Sequence, residues 1–385
     1  MARGHGTIAR PVMRVLVALT YYRPHISGLT LYAERQARAL IGRGHQVTVL
    51  TSHYDRRLPR REVVDGIRIE RVPVWARIGK GVVMPALGWR ATRELLRHDA
   101  VLLHLPQLDA AGIALRARAF GKPTALIYHC DLQLPAGLHN RVAQRVVGLA
   151  NAVAAVAAHH VVAYTDDFAA HSPLLRRHAR KVVTALPPIA DASTAGDRSP
   201  PRTPVIGMAT RFASEKGVAV LLDALPQVFS RTPNATVLFA GQVDDVWGEE
   251  ALRSRLLPRV AALEAAGRWR FLGVLPPDAM PAFYRQLSVL VVPSLNSTES
   301  FGLVQIEAML QGVPVVASDL PGVRQPVRMT GCGRVVPVGD AAALAEAITG
   351  QLEHPARPCQ SPVELARQFS PEENARFFEA LMGAH

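Results

Sequence analysis

Apolar and polar positions alternate along the chain in blocks that predict strands and helices in turn. In the first block, residues 12–19 form an apolar run typical of a strand, and residues 31–41 show the spacing of a helix. Gly42-Arg43-Gly44 ends that helix, and residues 46–50 predict the next strand. This strand-helix-strand order is typical of a doubly wound α/β domain. Further strands of the first block are predicted at residues 66–72, 100–105, 124–129, 161–164 and 181–185.

A second block of alternating strands and helices begins at residue 204. Between residues 187 and 204 the chain is rich in proline, serine, aspartate and threonine, which predicts a linker. We therefore predict an N-terminal domain at residues 1–187, a linker at 188–203 and a C-terminal domain at 204–362. Strands of the second block are predicted at residues 204–209, 235–240, 269–272, 288–292, 314–317 and 333–336, and residues 362–382 predict a helical pair.

The segment of residues 293–322 gives the clearest indication of chemistry. It reads PSLNSTESFGLVQIEAMLQGVPVVASDLPG and predicts a polar loop, a helix that begins near Phe301, and a second strand. Glu299 lies just before this helix and Glu307 two turns into it. Amides at a helix N-terminus bind anions, and carboxylates accept hydrogen bonds from hydroxyl groups. A nucleotide diphosphate that carries a sugar presents both kinds of group.

A second segment, TRFASEKG at residues 210–217, lies between a predicted strand and a predicted helix. Arg211 and Lys216 are five residues apart in this loop, so both can contact one diphosphate, the first as a planar fork and the second as a point charge. The chain contains only four lysines against 40 arginines, and Lys216 is the only lysine after Lys181. The alternative is an ordinary pair of solvated loop charges.

The two segments together resemble the signature of a known enzyme family. ESFGLVQIEAM, with its two glutamates eight residues apart, and RFxxEKG about 90 residues before it resemble the retaining GT-B glycosyltransferases, glycosyltransferase family 4 (group 1) in particular. The resemblance implies an α/β fold of two Rossmann-like domains that face each other across a deep cleft. It also implies that the C-terminal helix, residues 363–385, packs back on the first domain. The alternative for this spacing is one acid at a helix start and one exposed helical glutamate.

The resemblance also implies a role for each matching residue of the second domain. Glu307 would bind the ribose hydroxyls of the donor. Arg211 and Lys216 would bind its phosphates and neutralise the departing diphosphate. Glu299 would bind hydroxyls of the transferred sugar, assisted by the backbone amides of Phe301, Gly302 and Leu303.

Two positions of the first domain match the family less closely. Ser27-Gly28 follows the first predicted strand, where family members often have two glycines, so the resemblance implies a phosphate contact through Gly28. His129 ends the predicted strand TALIYH, and ligands of open α/β sheets bind at the carboxyl ends of strands. The resemblance implies that His129 contacts the transferred sugar, with Asp131 as a conceivable partner. The alternative is a structural histidine.

Metal ligands of the usual kind are missing from the sequence. No Asp-x-Asp occurs in the chain, so the carboxylate clamp that holds a Mg²⁺ or Mn²⁺ nucleotide complex is not present. Arg211, Lys216 and the helix amides would supply the positive potential instead. We therefore expect a metal-independent enzyme with no cofactor besides its donor substrate, a UDP- or GDP-sugar.

Composition and charge indicate a cytoplasmic enzyme with a basic first domain. Three widely spaced cysteines give neither a disulfide framework nor a zinc site, and no apolar run is suited to a signal peptide or a membrane span. Residues 1–190 carry 27 basic against 11 acidic residues, an excess of +16. Such a surface attracts an anionic membrane leaflet or a lipid-diphosphate acceptor, and it carries no known nucleic-acid-binding module. The best candidate for membrane contact is a predicted helix that contains Trp89, Arg90, Arg93 and Arg97.

These observations favour a retaining glycosyltransferase that moves a hexose from a nucleotide-diphospho-sugar to an acceptor. Glycan, polysaccharide or glycolipid synthesis is the expected setting, with peripheral attachment to the inner face of the cell membrane. Two alternatives stay open. One is a GT-B enzyme that glycosylates a soluble small molecule, and the other is a nucleotide-sugar-binding protein without turnover.

Overall fold

A computed structural model describes residues 12–78, 81–134, 137–189, 201–357 and 359–383. The chain divides into two compact units. The first unit is drawn from residues 1–127, 146–161 and 375–385, and the second from residues 128–145 and 162–374. Most of the predicted linker, at residues 190–200, and the last two residues of the predicted helix 363–385 lie outside the described residues.

The first sheet is built on buried, nearly continuous apolar strands. Its central strands pair in parallel, with Val17 opposite Val49 on one side and opposite Leu102 on the other. These three side chains are fully buried, as expected for a parallel sheet that is covered on both faces. The strands of this part of the chain are β1 (Arg14–Ala18), β2 (Gln46–His53), β3 (Arg61–Val64), β4 (Ile67–Pro73), β5 (Ala76–Ile78), β6 (Gly81–Val83), β7 (Ala100–Leu105), β8 (Thr124–Tyr128), β9 (His160–Ala163) and β10 (Val182–Thr184).

The eight strands of this sheet run in the order β10-β9-β8-β7-β1-β2-β4-β3, and β5 pairs with β6 separately. β3 is antiparallel to β4. The helices that accompany these strands are α1 (Gly28–Gly42), α2 (Leu87–Leu95), α3 (Ala110–Ala119), α4 (Leu138–Ala157), α5 (Asp166–His171) and α6 (Pro173–Arg177).

The second sheet has six parallel strands. They are β11 (Val205–Ala209), β12 (Thr236–Ala240), β13 (Trp269–Phe271), β14 (Val289–Val292), β15 (Val315–Ser318) and β16 (Gly333–Val336). The remaining helices are α7 (Val218–Arg231), α8 (Glu250–Ala265), α9 (Met280–Arg285), α10 (Leu303–Leu310), α11 (Gln325–Thr330), α12 (Ala341–Glu353), α13 (Pro362–Gln368) and α14 (Pro371–Gly383).

The strand order of the second sheet indicates which of its edges would bind a ligand. The order is β13-β12-β11-β14-β15-β16, so the chain winds outward from β11 in one direction and from β14 in the other. Such a reversal is a topological switch point, and ligands of open α/β sheets bind just outside the carboxyl ends of the strands there. The loops that follow β11 and β14 are therefore the expected position of a site.

Most predicted elements agree with the structure within about two residues, and the α/β class is confirmed. Two predictions were wrong in detail. The helix predicted to begin near Phe301 begins at Leu303, because Gly302 adopts a left-handed backbone conformation, with φ of 76°, that interrupts the helix. The basic helix near residue 90 ends at Leu95, so Arg97 lies beyond it.

Candidate functional site

The loops after β11 and β14 contact each other through their backbones. Gly217 closes the loop after β11 with φ of 73°, and a Cβ atom built on it would lie 1.9 Å from the carbonyl oxygen of Pro293. Only glycine allows this approach. The backbone N–H of Leu295 also donates to the carbonyl oxygen of Glu215 at 2.9 Å. The two segments that the sequence singled out are thus adjacent in the fold.

A buried carboxylate fixes the short 3₁₀ turn Ser214–Lys216. Glu249 is 7 % exposed and accepts hydrogen bonds from both the backbone N–H and the hydroxyl of Ser214, each at 3.0 Å. Arg211 donates to the carboxylate of Glu215 at 3.0 Å, within the same loop. Arg211 and Lys216 are therefore carried on a loop whose backbone is fixed by a residue that sequence reasoning missed.

Lys216 and Glu299 form an ion pair between the two loops. The Nζ of Lys216 lies 2.7 Å from Oε2 of Glu299, and their side chains are only 14 % and 24 % exposed. Oε1 of Glu299 accepts the backbone N–H of Gly302 at 2.9 Å. Burial pushes the pKa of Glu299 upward, but the charge of Lys216 and the hydrogen bonds it receives hold that pKa below its ordinary value. Glu299 is consequently ionised at neutral pH.

The N-terminus of α10 is positioned by a left-handed glycine and a buried aromatic ring. Gly302 precedes the first helical residue, Leu303, and its N–H is bound by Glu299. Phe301 is 1 % exposed and meets the ring of Tyr164 edge to face at a centroid distance of 5.9 Å. The predicted group of Phe301, Gly302 and Leu303 therefore surrounds a helix start that already holds one carboxylate.

Glu307 lies on α10, just over one turn beyond its start. Its Oε2 accepts a hydrogen bond of 2.8 Å from the hydroxyl of Tyr284 on α9. Tyr284 is buried, so its hydroxyl orients the half-buried carboxylate of Glu307. Tyr284 could not be predicted from local patterns, because the two residues are 23 positions apart on different helices.

His129 lies directly after β8 and is 6 % exposed. Its Nδ1 is hydrogen-bonded to the hydroxyl of Tyr164, and its backbone carbonyl accepts the hydroxyl of Ser300. Ser300 is the neighbour of Glu299, so the structure brings His129 to the loop that carries the Lys216–Glu299 pair.

Asp131 accepts hydrogen bonds from two hydroxyl groups. Its Oδ1 accepts hydrogen bonds from the hydroxyls of Tyr128 at 2.9 Å and Ser172 at 2.7 Å. Burial raises the pKa of this carboxyl group. The pairing of His129 with Asp131 around one sugar stays a prediction.

An ion pair that the sequence did not indicate fixes the loop after β15. Arg324 donates to both oxygens of Asp167, at 2.8 and 2.6 Å, and the N–H of Gly322 donates to the same carboxylate at 2.9 Å. Burial pushes the pKa of Asp167 upward, but these donors hold it at about 2. A Cβ on Gly322 would lie 2.0 Å from the carbonyl oxygen of Ser300, so this loop buttresses the residue next to Glu299.

Gly28 is the remaining predicted residue, and it belongs to the first unit. It is the first residue of α1, and Ser27 caps the helix by accepting the N–H of Thr30 at 3.2 Å. The phosphate contact of Gly28 stays a prediction.

The described residues form neither a metal-binding cluster nor a membrane-spanning helix. In that part of the chain, no group of three or more histidine, cysteine, aspartate or glutamate side chains is placed to hold a metal ion. Among the same residues, every helix is too short or too polar to cross a membrane.

Comparison with known proteins identifies the class and then the family. The structure of HepE from Anabaena in complex with UDP and glucose covers 97 % of this chain and 100 % of its own, with a TM-score of 0.74 and 19 % identity. The fold is that of a GT-B glycosyltransferase. Residues 192–372 match the family model "Glycosyl transferases group 1", and residues 27–188 match "Glycosyl transferase 4-like domain". The chain belongs to this group 1, or family 4, of glycosyltransferases.

Two characterised relatives span most of the chain. Phosphatidyl-myo-inositol mannosyltransferase of Mycobacterium leprae is 29 % identical over 352 residues, which is 89 % of this chain and 88 % of that protein. 2-Deoxystreptamine N-acetyl-D-glucosaminyltransferase of Streptomyces fradiae is 29 % identical over 351 residues, 84 % of this chain and 82 % of that protein. The first name describes transfer to phosphatidyl-myo-inositol, and the second describes transfer to 2-deoxystreptamine.

Proposed function

We propose that the protein is a retaining glycosyltransferase that transfers a hexose from a UDP- or GDP-linked donor to an acceptor of glycolipid or glycan synthesis. The observation that carries this proposal is the Lys216–Glu299 ion pair at the switch point of the second sheet, beside the N-terminus of α10. A cation and helix amides suit the anionic diphosphate of a nucleotide sugar, and the ionised carboxylate beside them accepts hydrogen bonds from sugar hydroxyls. The complex of HepE with UDP and glucose supports the choice of donor class.

Each polar group of the site has a proposed part. Lys216 and Arg211 bind the diphosphate and neutralise the charge that grows on it as it departs. Glu299, which Lys216 and Gly302 hold in place, accepts hydrogen bonds from hydroxyls of the transferred sugar. Glu307, oriented by Tyr284, accepts hydrogen bonds from the ribose hydroxyls. His129 contacts the transferred sugar.

We propose a front-face displacement as the chemical step. The bond between the anomeric carbon and the diphosphate oxygen breaks, and the acceptor oxygen bonds to that carbon on the same face. The acceptor proton passes to the oxygen of the departing phosphate. Glu299 is already bound to Lys216 and Gly302, which suits it to positioning the sugar better than to attacking it.

This mechanism predicts the configuration of the product. With an α-linked nucleotide sugar as donor, we expect the new glycosidic bond to be α, because the nucleophile arrives on the face that the leaving group vacates. The one-bond coupling between carbon and hydrogen at the anomeric centre, read by NMR on the isolated product, distinguishes the two anomers. A β product would place the enzyme among inverting glycosyltransferases.

We expect turnover to be independent of added divalent metal. Two cationic side chains and a helix N-terminus supply the stabilisation that an ion would otherwise give to the leaving diphosphate. The initial rate with excess EDTA should equal the rate with Mg²⁺ or Mn²⁺, measured by release of nucleoside diphosphate. Activity that disappears with the chelator and returns with either ion would contradict this expectation.

We propose that the acceptor is presented at a membrane surface, as the mannosyltransferase relative suggests, and that α2 contacts this surface. Trp89 is 62 % exposed, and the guanidinium carbons of Arg90 and Arg93 lie 4.9 and 6.0 Å from the centre of its ring. An exposed indole flanked by cations suits the headgroup region of an anionic leaflet. Arg97 lies beyond the end of the helix and 3.9 Å from Glu94, so the proposed contact does not include it.

Replacing Arg90 and Arg93 by glutamate and Trp89 by alanine should abolish flotation with anionic vesicles at low salt. Each basic residue near such a surface contributes about 1 kcal/mol, and screening limits the effect to roughly 8 Å at physiological salt. Arg68→Glu/Arg118→Glu, at two exposed positions of the first unit, gives the same change in net charge and should float normally. Failure of the wild type to float would favour the soluble acceptor that the Streptomyces relative suggests.

The remaining alternative is a protein that binds the donor without turning it over. Slow hydrolysis of the nucleotide sugar in the absence of acceptor, followed as release of nucleoside diphosphate, decides between this alternative and an enzyme. We expect hydrolysis, because Arg211, Lys216, Glu299 and Glu307 are all present at the positions that the proposal assigns to donor binding.

A further inference from the structure

A cavity of about 580 Å³ lies in the first unit, where β2 and β4 end. Its lining begins with His53, the last residue of β2, and continues through the loop after it. The opposite side is formed by the segment after β4, at residues 74–77. Open α/β sheets bind ligands at the carboxyl ends of their strands, and this volume is that of a small-molecule site. We infer that this cavity binds a phosphorylated polyol, as the phosphate-bearing part of the acceptor.

The charged side chains that line the cavity favour an anionic ligand. Arg56, Arg57 and Arg77 line it, against a single carboxylate, Asp55. Asp55 is bound by Arg57 through a pair of hydrogen bonds, and this contact holds its pKa at about 2. Arg56 is exposed, and the described residues offer it no acidic partner. The cavity therefore keeps an excess of positive charge with one guanidinium available, and planar guanidinium groups bind phosphate through paired hydrogen bonds.

Aromatic surface beside these charges favours a ligand with a carbon ring or chain. Trp75 is 80 % exposed, although the N–H of its backbone is fixed to the carbonyl oxygen of Val83 at 2.9 Å. An exposed indole on an ordered segment marks an interaction surface rather than a packing defect. The electron-rich face of the ring attracts the weakly positive C–H groups of a polyol. Neither inorganic phosphate nor a nucleic-acid backbone needs this contact.

Hydrogen bonds connect the segments that form and adjoin the cavity. The guanidinium of Arg71, whose side chain is 1 % exposed, donates to the carbonyl oxygens of Pro59 at 2.8 Å and Arg23 at 3.0 Å. It also pairs with Glu62 at 2.5 Å. One buried cation thus ties β4 to the loop after β2 and to the loop after β1. Arg77 donates to the carbonyl oxygen of Tyr54, which joins the two sides of the cavity.

This inference rests on the proposed function, because it supplies the acceptor for that reaction. A phosphate on a polyol has two sources with the same chemistry, a free sugar or polyol phosphate and the headgroup of a phospholipid. Residues at the cavity do not distinguish the two, so the experiment contains an arm for each source.

The first arm measures binding of soluble probes by calorimetry. Glycerol 3-phosphate, glucose 6-phosphate and inositol 3-phosphate are titrated into the full chain, alongside glycerol, glucose and inositol. The second arm compares sedimentation with phosphatidylcholine vesicles that contain either phosphatidylinositol or phosphatidylserine, two lipids of equal charge. Each arm is repeated with Arg56→Ala and with Trp75→Ala. Arg60→Ala is the matched control, since Arg60 is exposed in the same loop but does not line the cavity.

We expect at least one phosphorylated probe, or phosphatidylinositol, to bind in preference to its counterpart. Arg56→Ala and Trp75→Ala should each weaken that binding about tenfold or more, whereas Arg60→Ala should not. Binding in the first arm alone identifies a soluble acceptor, and binding in the second arm alone identifies a lipid. No preference for phosphate in either arm, or an equal loss in Arg60→Ala, overturns the inference.

Donor binding is measured on the same samples to separate the two proposals. Titration of UDP and GDP reports the proposed function, and both cavity variants should keep the wild-type affinity. Absence of nucleotide binding together with an intact preference for phosphorylated polyols would reject the proposed function and retain the cavity as a binding site. Normal nucleotide binding without that preference would reject the cavity alone.

Discussion

Lys216→Ala should weaken binding of the nucleoside diphosphate about ten- to a hundredfold, because a hydrogen bond to a charged group contributes roughly 1.5–3 kcal/mol. The substitution also leaves the ionised carboxylate of Glu299 without its cation beside the phosphates. Glu307→Ala should have an effect of similar size through the ribose. Titration calorimetry with UDP and GDP on the folded variants gives the affinities.

Two controls make this result specific. Lys122→Ala removes the same kind of side chain in the first unit and should bind nucleotide as the wild type does. Thermal unfolding checks that Lys216→Ala is still folded at the temperature of the titration, because loss of the ion pair with Glu299 lowers stability although Glu249 and Gly217 still fix the loop. Wild-type affinity in both site variants would show that the assigned donor site is wrong.

The regular elements of this fold were accessible from the sequence because they follow from local patterns. The fully buried strand β7 reads as a largely apolar run, and its predicted and observed bounds coincide. Strand β3 was missed, since it is short and its residues Val63 and Val64 are exposed. One local signal could have found it. Asp65-Gly66, both with positive φ, is a hairpin turn of the type that an Asp-Gly pair favours.

The residues of the site could be predicted from the sequence, but the contacts between them could not. Lys216 and Glu299 were singled out separately, each for a different part of the donor, yet they are bound to each other across 83 positions. The ion pair of Asp167 with Arg324 and the contact of Glu249 with Ser214 were not predicted at all. The sequence around a loop carboxylate does not indicate its partner, because the topology of the sheet brings the two residues together from distant positions in the chain.

The start of α10 shows how a local rule is overridden. The apolar spacing extends back to Phe301, which suggested a helix from that residue. In the structure Phe301 is buried against Tyr164 and Gly302 turns with positive φ, so the helix begins two residues later. As a result, the N–H of Gly302 donates a hydrogen bond to the carboxylate of Glu299.

Gly217→Ala should destabilise the protein by at least about 2 kcal/mol and weaken nucleotide binding as well. A left-handed conformation alone costs a residue with a side chain roughly 1–2 kcal/mol. At this position the new Cβ would also lie 1.9 Å from the carbonyl oxygen of Pro293, so the loops after β11 and β14 must separate. Separation moves Lys216, which precedes the glycine, away from Glu299, and thus disrupts the donor site.

Gly267→Ala is the control that separates the cost of the left-handed conformation from the effect of the clash with Pro293. Gly267 has a closely similar φ of 68°, against 73° for Gly217, but a Cβ there meets nothing within 4 Å. It should therefore cost only the conformational part and leave the affinity for UDP or GDP unchanged. Chemical denaturation gives the free energies of unfolding, and calorimetry gives the affinities. If both alanine variants lost equal stability and both kept full affinity, contact between the two loops would not be what positions Lys216 against Glu299.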